Sequence, residues 1–123
     1  MRWAGTGAEL WRVRVDLLAE PRDARRQIHA AVEALKSLLP FSDDERAHGV
    51  GADQGTGATR RNVVGLLFWV RADDIGGAAA TALDIARRAG AGEGIGPELY
   101  DVVVIPRAAV VLPNDPGYPR MPD

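Results

Sequence analysis

Residues 9–18 alternate between apolar and polar side chains, and this pattern predicts a β-strand. Successive side chains of a strand point to opposite faces of the sheet, so a period of two places one set in the core. Arg12, Arg14 and Asp16 are then expected on the opposite face. The apolar set expected to face the core is Trp11, Val13, Val15 and Leu17.

Residues 21–39 carry apolar side chains at three- and four-residue spacing, which predicts an amphipathic helix. Pro21 suits the first helical turn, and Pro40 cannot continue the helix. Arginine, glutamate and lysine occupy the other side, so we expect one face to meet the core. The positions expected on that face are Ala24, Ile28, Ala31, Val32, Leu35, Leu38 and Leu39.

A second helix is predicted from about Ile75, because Asp73 or Asp74 can cap its first turn. Gly90 is expected to end this helix in a left-handed conformation. The helix is rich in alanine, which allows close packing against its neighbours. The positions expected to face the core are Ile75, Ala79, Ala82, Leu83, Ile85 and Ala86.

Three further strands are predicted. Residues 46–54 and 59–72 are expected to form a hairpin, and the second of these is apolar on both faces, as is typical of a central strand. The last strand covers residues 99–105. Pro106 interrupts it, and it is expected to resume at residues 108–112.

The predicted order β-α-β-β-α-β resembles ferredoxin-like domains. This α+β plait has a four-stranded antiparallel sheet with two helices on one face and the other face open. Right-handed crossovers favour the spatial strand order 4-1-3-2. We expect a flexible N-terminus over residues 1–8, a single domain over 9–112 and an extended C-terminal tail over 113–123.

Strand parity assigns a mixed apolar and basic set of side chains to the open face. Large apolar patches on a protein surface usually mark contacts, so we expect a partner on this face, most simply a second copy in a homodimer. Alternatively, the C-terminal segment folds back over the face. The candidate interface or ligand residues are Arg12, Arg14, Val63, Leu67, Trp69 and Arg71.

The tail has a proline at every third position from Pro113 to Pro122, which matches the three-residue turn of polyproline II. Such an arm is stiff enough to dock on a neighbour. A disordered terminus is the alternative, since the segment also holds several polar residues and a glycine. The residues expected to take part in docking are Pro113, Pro116, Tyr118, Pro119 and Met121.

Composition narrows the possible partners. The 123-residue chain has 15 Lys+Arg against 17 Asp+Glu and a net charge of −2, which makes nucleic-acid binding unlikely. It has no cysteine, and its two histidines, His29 and His48, lie far apart, so we expect no metal and no cofactor. The N-terminus lacks the apolar core of a signal peptide, and we expect a cytoplasmic protein without membrane contact.

The basic residues are 14 arginines and one lysine, beside 20 alanines and 14 glycines. This bias is typical of a GC-rich bacterial genome, because arginine, alanine and glycine codons are GC-rich. A functional alternative is that guanidinium groups are needed for bidentate or stacked contacts.

Together these features favour a non-enzymatic interaction or assembly module that binds itself or another protein through its open sheet. The alternative is a dimeric α/β-barrel that binds or transforms a small anionic ligand, in a pocket lined by Leu67, Trp69, Arg12 and Arg14. RNA binding ranks third, since only Trp69 could stack a base and the aromatic motif of RNA recognition domains is missing.

Overall fold

The computed structural model describes residues 4–5, 7, 9–20, 23–39, 50–54 and 62–110. These residues form an α+β fold with five strands, two α-helices and one short 3-10 turn. In chain order the elements are β1 (Ala4–Gly5), β2 (Glu9–Ala19), α1 (Ala24–Leu38), β3 (Gly51–Gln54), β4 (Asn62–Ala72), α2 (Ile75–Gly90), β5 (Ile95–Pro106) and the turn Arg107–Ala109.

The sheet has β2 at its centre, paired antiparallel with β4 on one side and β5 on the other. Strand β3 pairs antiparallel with the opposite edge of β4. The four main strands therefore follow the predicted order 4-1-3-2, and the ferredoxin-like plait is confirmed. An unpredicted addition lies within residues 1–8, where β1 runs parallel to β4 beside Val70 and Arg71.

The core lies between one face of the sheet and the two helices. The alternating apolar residues of β2 are buried there, as the period of two predicts. Even-numbered residues of β4 meet the same core. Its principal side chains are Trp11, Val13, Val15, Leu17, Leu35, Leu66, Phe68, Val70, Ala82 and Ile85.

Helix α1 begins three residues later than the predicted start. The carboxylate of Asp23 accepts hydrogen bonds from the backbone N–H groups of Arg25 and Arg26, and this cap sets the first turn. The buried face also differs from the expected one. It includes Gln27, which the apolar pattern omits, and it leaves Leu38 exposed.

Helix α2 is capped by Asp74, whose carboxylate accepts from the Gly77 N–H at 2.7 Å. Ile75 was expected in the core, but it is 59% exposed at the start of the helix. The predicted role of Gly90 is also wrong, because it is the last residue of the helix and has no positive φ. A Cβ at Gly90 would lie 2.7 Å from the Ile95 carbonyl oxygen, so glycine permits close contact with β5.

Strand β5 is longer than predicted, and its pairing with β2 is irregular. Asp101 lies opposite Asp16 and Leu99 lies opposite Leu17, so Tyr100 is an extra residue in a β-bulge. After Pro106 the chain forms a 3-10 turn rather than the expected resumed strand. The predicted tail contacts of Pro113, Pro116, Tyr118, Pro119 and Met121 lie outside the described residues.

Candidate interaction surface

The sheet face opposite the helices, called the open face below, carries the residues that strand parity assigned to it. Directly opposed residues of antiparallel strands point to the same side. In the β2–β4 register Arg12 lies opposite Trp69 and Arg14 opposite Leu67. Leu10 lies opposite Arg71 and Leu18 opposite Val63. All six predicted candidates therefore share one face, namely Arg12, Arg14, Val63, Leu67, Trp69 and Arg71.

Strand β5 adds three residues to the open face that the sequence analysis missed. Ile105 lies opposite Arg12, Val103 opposite Arg14, and Asp101 opposite Asp16. The alternation of these three positions is visible in the sequence. Their face could not be assigned from it, because the strand register depends on the bulge.

Strand β3 contributes a further missed residue. Asp53 lies opposite Gly65 of β4, which in turn lies opposite Asp16 of β2. The row that crosses the sheet at this level therefore holds carboxylates on three strands, Asp53, Asp16 and Asp101. No pattern in the sequence indicates this row, since the three residues are far apart along the chain.

Trp69 is covered by the chain itself. Its side chain is 1% exposed, and two guanidinium groups lie over the indole ring. Arg12 Cζ is 5.3 Å and Arg107 Cζ is 5.8 Å from the ring centroid, within the range of cation–π attraction. A partner is therefore not needed to remove the indole of Trp69 from water. Arg107 follows β5 directly, so a residue after the last strand supplies part of the cover.

The position of Arg12 against the Trp69 ring buries its guanidinium and alters its pKa. Burial lowers the pKa of the Arg12 guanidinium, because the charged form loses hydration. The guanidinium nonetheless remains protonated at neutral pH, as arginine does in proteins generally. This end of the open face therefore keeps positive charge beside a buried aromatic ring.

Arg14 is held by two carboxylates. Its Nε donates to Asp16 Oδ1 at 3.0 Å, and its two terminal nitrogens donate to both oxygens of Asp53 at 2.9 and 2.5 Å. The hydrogen bond to Asp53 is the main cause that raises the pKa of Arg14, and burial opposes it. Arg14 thus ties β2 to β3 across the intervening strand.

Gly65 of β4 makes this arrangement possible. The Arg14 side chain passes over it on the way to Asp53, and a Cβ on residue 65 would lie 2.8 Å from Arg14 Cζ. It would also overlap the Asp16 carboxylate. A side chain at residue 65 would therefore displace the ion pair from its path over β4.

The described part of the open face has opposite charges at its two ends. Asp16, Asp53 and Asp101 lie in one row, and Arg14 forms ion pairs with the first two of them. Arg12, Arg71 and Arg107 lie around Trp69 at the other end. The face is therefore acidic at one end of the strands and basic at the other.

The exposed apolar side chains of the open face lie on β5 rather than on β4. Val103 is 42% and Ile105 is 36% exposed, whereas Val63 and Trp69 are buried. The helix-side neighbours Val102 and Val104 pack against the core. The accessible apolar strip thus borders the last strand of the sheet.

The described part of the chain shows no metal cluster and no membrane-spanning helix. Within those ranges, no three His, Cys, Asp or Glu side chains are grouped so as to hold a metal ion. His29 lies exposed on α1, and His48 falls outside the described residues. No described helix has both the length and the apolar character that a membrane span needs. Searches of protein-family models and of curated proteins gave no match to this chain.

Proposed function

We propose that the chain is a non-enzymatic assembly module that binds a second copy of itself through the open face. The observation that carries this proposal is the exposed pair Val103 and Ile105 on β5. Most large apolar side chains among the described residues are buried or partly buried, and these two form one strip beside charged neighbours. An exposed apolar strip with charged residues around it is typical of a protein–protein contact.

The contacts of Arg14 disfavour the alternative of an anion-binding pocket on this face. An anion would have to compete with Asp16 and Asp53, which already accept hydrogen bonds from all three guanidinium nitrogens. The buried indole of Trp69 likewise presents no free ring face on which a base could stack. The pocket and RNA hypotheses are therefore weaker than assembly.

A charge introduced into the strip tests the proposal. We expect Val103→Glu to raise the dimer Kd by about tenfold or more, because an unpaired buried carboxylate costs more than about 1.4 kcal/mol. Sedimentation velocity over a concentration series measures this change. Leu38→Glu is the matched control, since Leu38 is 40% exposed on α1, and it should leave Kd unchanged.

Two results would count against the proposal. If Val103→Glu and Leu38→Glu have equal effects, the strip on β5 is not the contact. If thermal-shift screening with organic acids finds a ligand whose binding depends on Arg14, the pocket hypothesis replaces assembly.

A further inference from the structure

Strand β5 forms one edge of the sheet. Among the described residues it pairs on one side only, with β2. Its regular stretch is Asp101–Ile105, because a bulge at Tyr100 precedes it and Pro106, which lacks an N–H, follows it. The stretch contains four consecutive β-branched residues and no lysine or arginine that would discourage pairing.

We propose that the partner at this edge is a second copy of the chain, whose β5 pairs antiparallel with β5 of the first. The pairing is centred on Val103, the midpoint of the regular stretch. This inference rests on the proposed function and narrows the contact from the open face as a whole to its β5 edge, where Val103 meets its own copy. Two sheets then become one continuous sheet of two copies, with all helices on one side and both open faces on the other.

The register follows from residue positions. With Val103 opposite the partner's Val103, Asp101 lies opposite the partner's Ile105 and Val102 opposite the partner's Val104. Every pair then joins residues of the same face, as antiparallel pairing requires. No acidic residue of β5 lies opposite another, although β5 carries Glu98 and Asp101. The exposed valines meet at the two-fold axis, where β-branched side chains pack well.

The charges of the open face favour a second copy over an unrelated strand. Antiparallel pairing reverses one sheet relative to the other. The row with Arg12 and Ile105 therefore continues into the partner's Asp101 and Asp16, while the acidic row continues into the partner's Ile105 and Arg12. The basic end of each sheet lies beside the acidic end of the other, so the face is complementary to itself.

Single cysteines give a direct test, because the chain has no cysteine of its own. Three exposed or edge positions of the open face are compared: Val103→Cys, Asp101→Cys and Ile105→Cys. At the proposed axis the two Cα atoms of residue 103 are about 4.5–5.5 Å apart, within the range that a disulfide spans. Residue 101 is about 14 Å along the strand from its own copy, and so is residue 105.

Under mild oxidation we expect Val103→Cys to form covalent dimer at least about tenfold more than Asp101→Cys or Ile105→Cys alone, since only it meets disulfide geometry. An equimolar mixture of Asp101→Cys and Ile105→Cys should cross-link as a mixed dimer. That mixture also tests the register independently of any change at Val103.

The outcomes separate this inference from the proposed function. If the unmodified chain is a dimer by light scattering but the three single cysteines cross-link equally or not at all, β5 pairing is wrong and assembly stands. The two copies would then associate through a face-to-face contact of their sheets or through a different surface. If the unmodified chain is a monomer throughout, both proposals are overturned.

Discussion

Gly65 is the residue over which the ion pair of Arg14 and Asp53 crosses β4. We expect Gly65→Ala to lower the free energy of unfolding by about 1–3 kcal/mol, because the new methyl group displaces the guanidinium and the Asp16 carboxylate. Urea unfolding followed by circular dichroism measures the change. The loss of a charged network would make part of the effect sensitive to salt.

Gly51→Ala is the control for this substitution. Gly51 is also a strand glycine, and the nearest atoms to its added Cβ belong to Leu67 at 4.0 Å, an ordinary contact. We expect the free energy of unfolding to change by no more than about 0.5 kcal/mol. Equal effects at Gly51 and Gly65 would show that the Arg14 crossing does not constrain residue 65.

The face on which Trp69 lies was predictable from the sequence, but its burial was not. Alternation along 59–72 predicts the correct face for its side chain, because that face depends only on local strand geometry. Its cover includes Arg12 from another strand and Arg107 from the turn after β5. Neither contact can be predicted from the spacing of residues along the sequence. Trp69 is therefore a poor probe of the interface, since a charge there would disturb the fold of one chain.

At the scale of elements, the apolar pattern located both helices but not the precise rotation of α1. The pattern excludes Gln27 from the core because glutamine is polar. In the structure Gln27 is 3% exposed, and its Nε2 donates to the carbonyl oxygens of Glu20 and Glu93, both at 3.2 Å. A buried polar side chain was needed to link α1 to two connections that come together only in the folded chain.

Because Gln27 links these segments, we expect removal of its side-chain amide to destabilise the fold. We expect Gln27→Ala to lower the free energy of unfolding by about 1–3 kcal/mol, because two partly buried hydrogen bonds are lost and both carbonyls lose a donor. Chemical denaturation measures this change in the free energy of unfolding. Gln54→Ala, at an exposed position of β3, is the control and should stay within about 0.5 kcal/mol of the parent chain. A similar small change at Gln27 would contradict the linking role.

Strand β5 was the least predictable element. The apolar run identifies a strand, yet the bulge at Tyr100 and the early start at Ile95 depend on pairing with β2. A one-residue change of register moves every later side chain to the other face. For that reason Asp101, Val103 and Ile105 were absent from the predicted surface, although they supply its accessible apolar part.

At the scale of the whole molecule, the order of elements was sufficient to predict the plait and its strand order. Both depend on general rules of handedness and layer packing that hold for many sequences. The distribution of charge over the open face is specific to this chain, since it arises from side chains on four strands. It is this distribution, acidic at one end and basic at the other, that favours association of two identical sheets.

The most direct test of assembly is the molar mass of the unmodified chain, measured by light scattering over a wide range of protein and salt concentrations. We expect twice the mass of one chain at high protein concentration, with dissociation on dilution. Salt should shift the equilibrium toward single chains, because the charges that match across the contact are partly exposed to solvent. A mass of one chain at every concentration, up to the millimolar range, would contradict the assembly role.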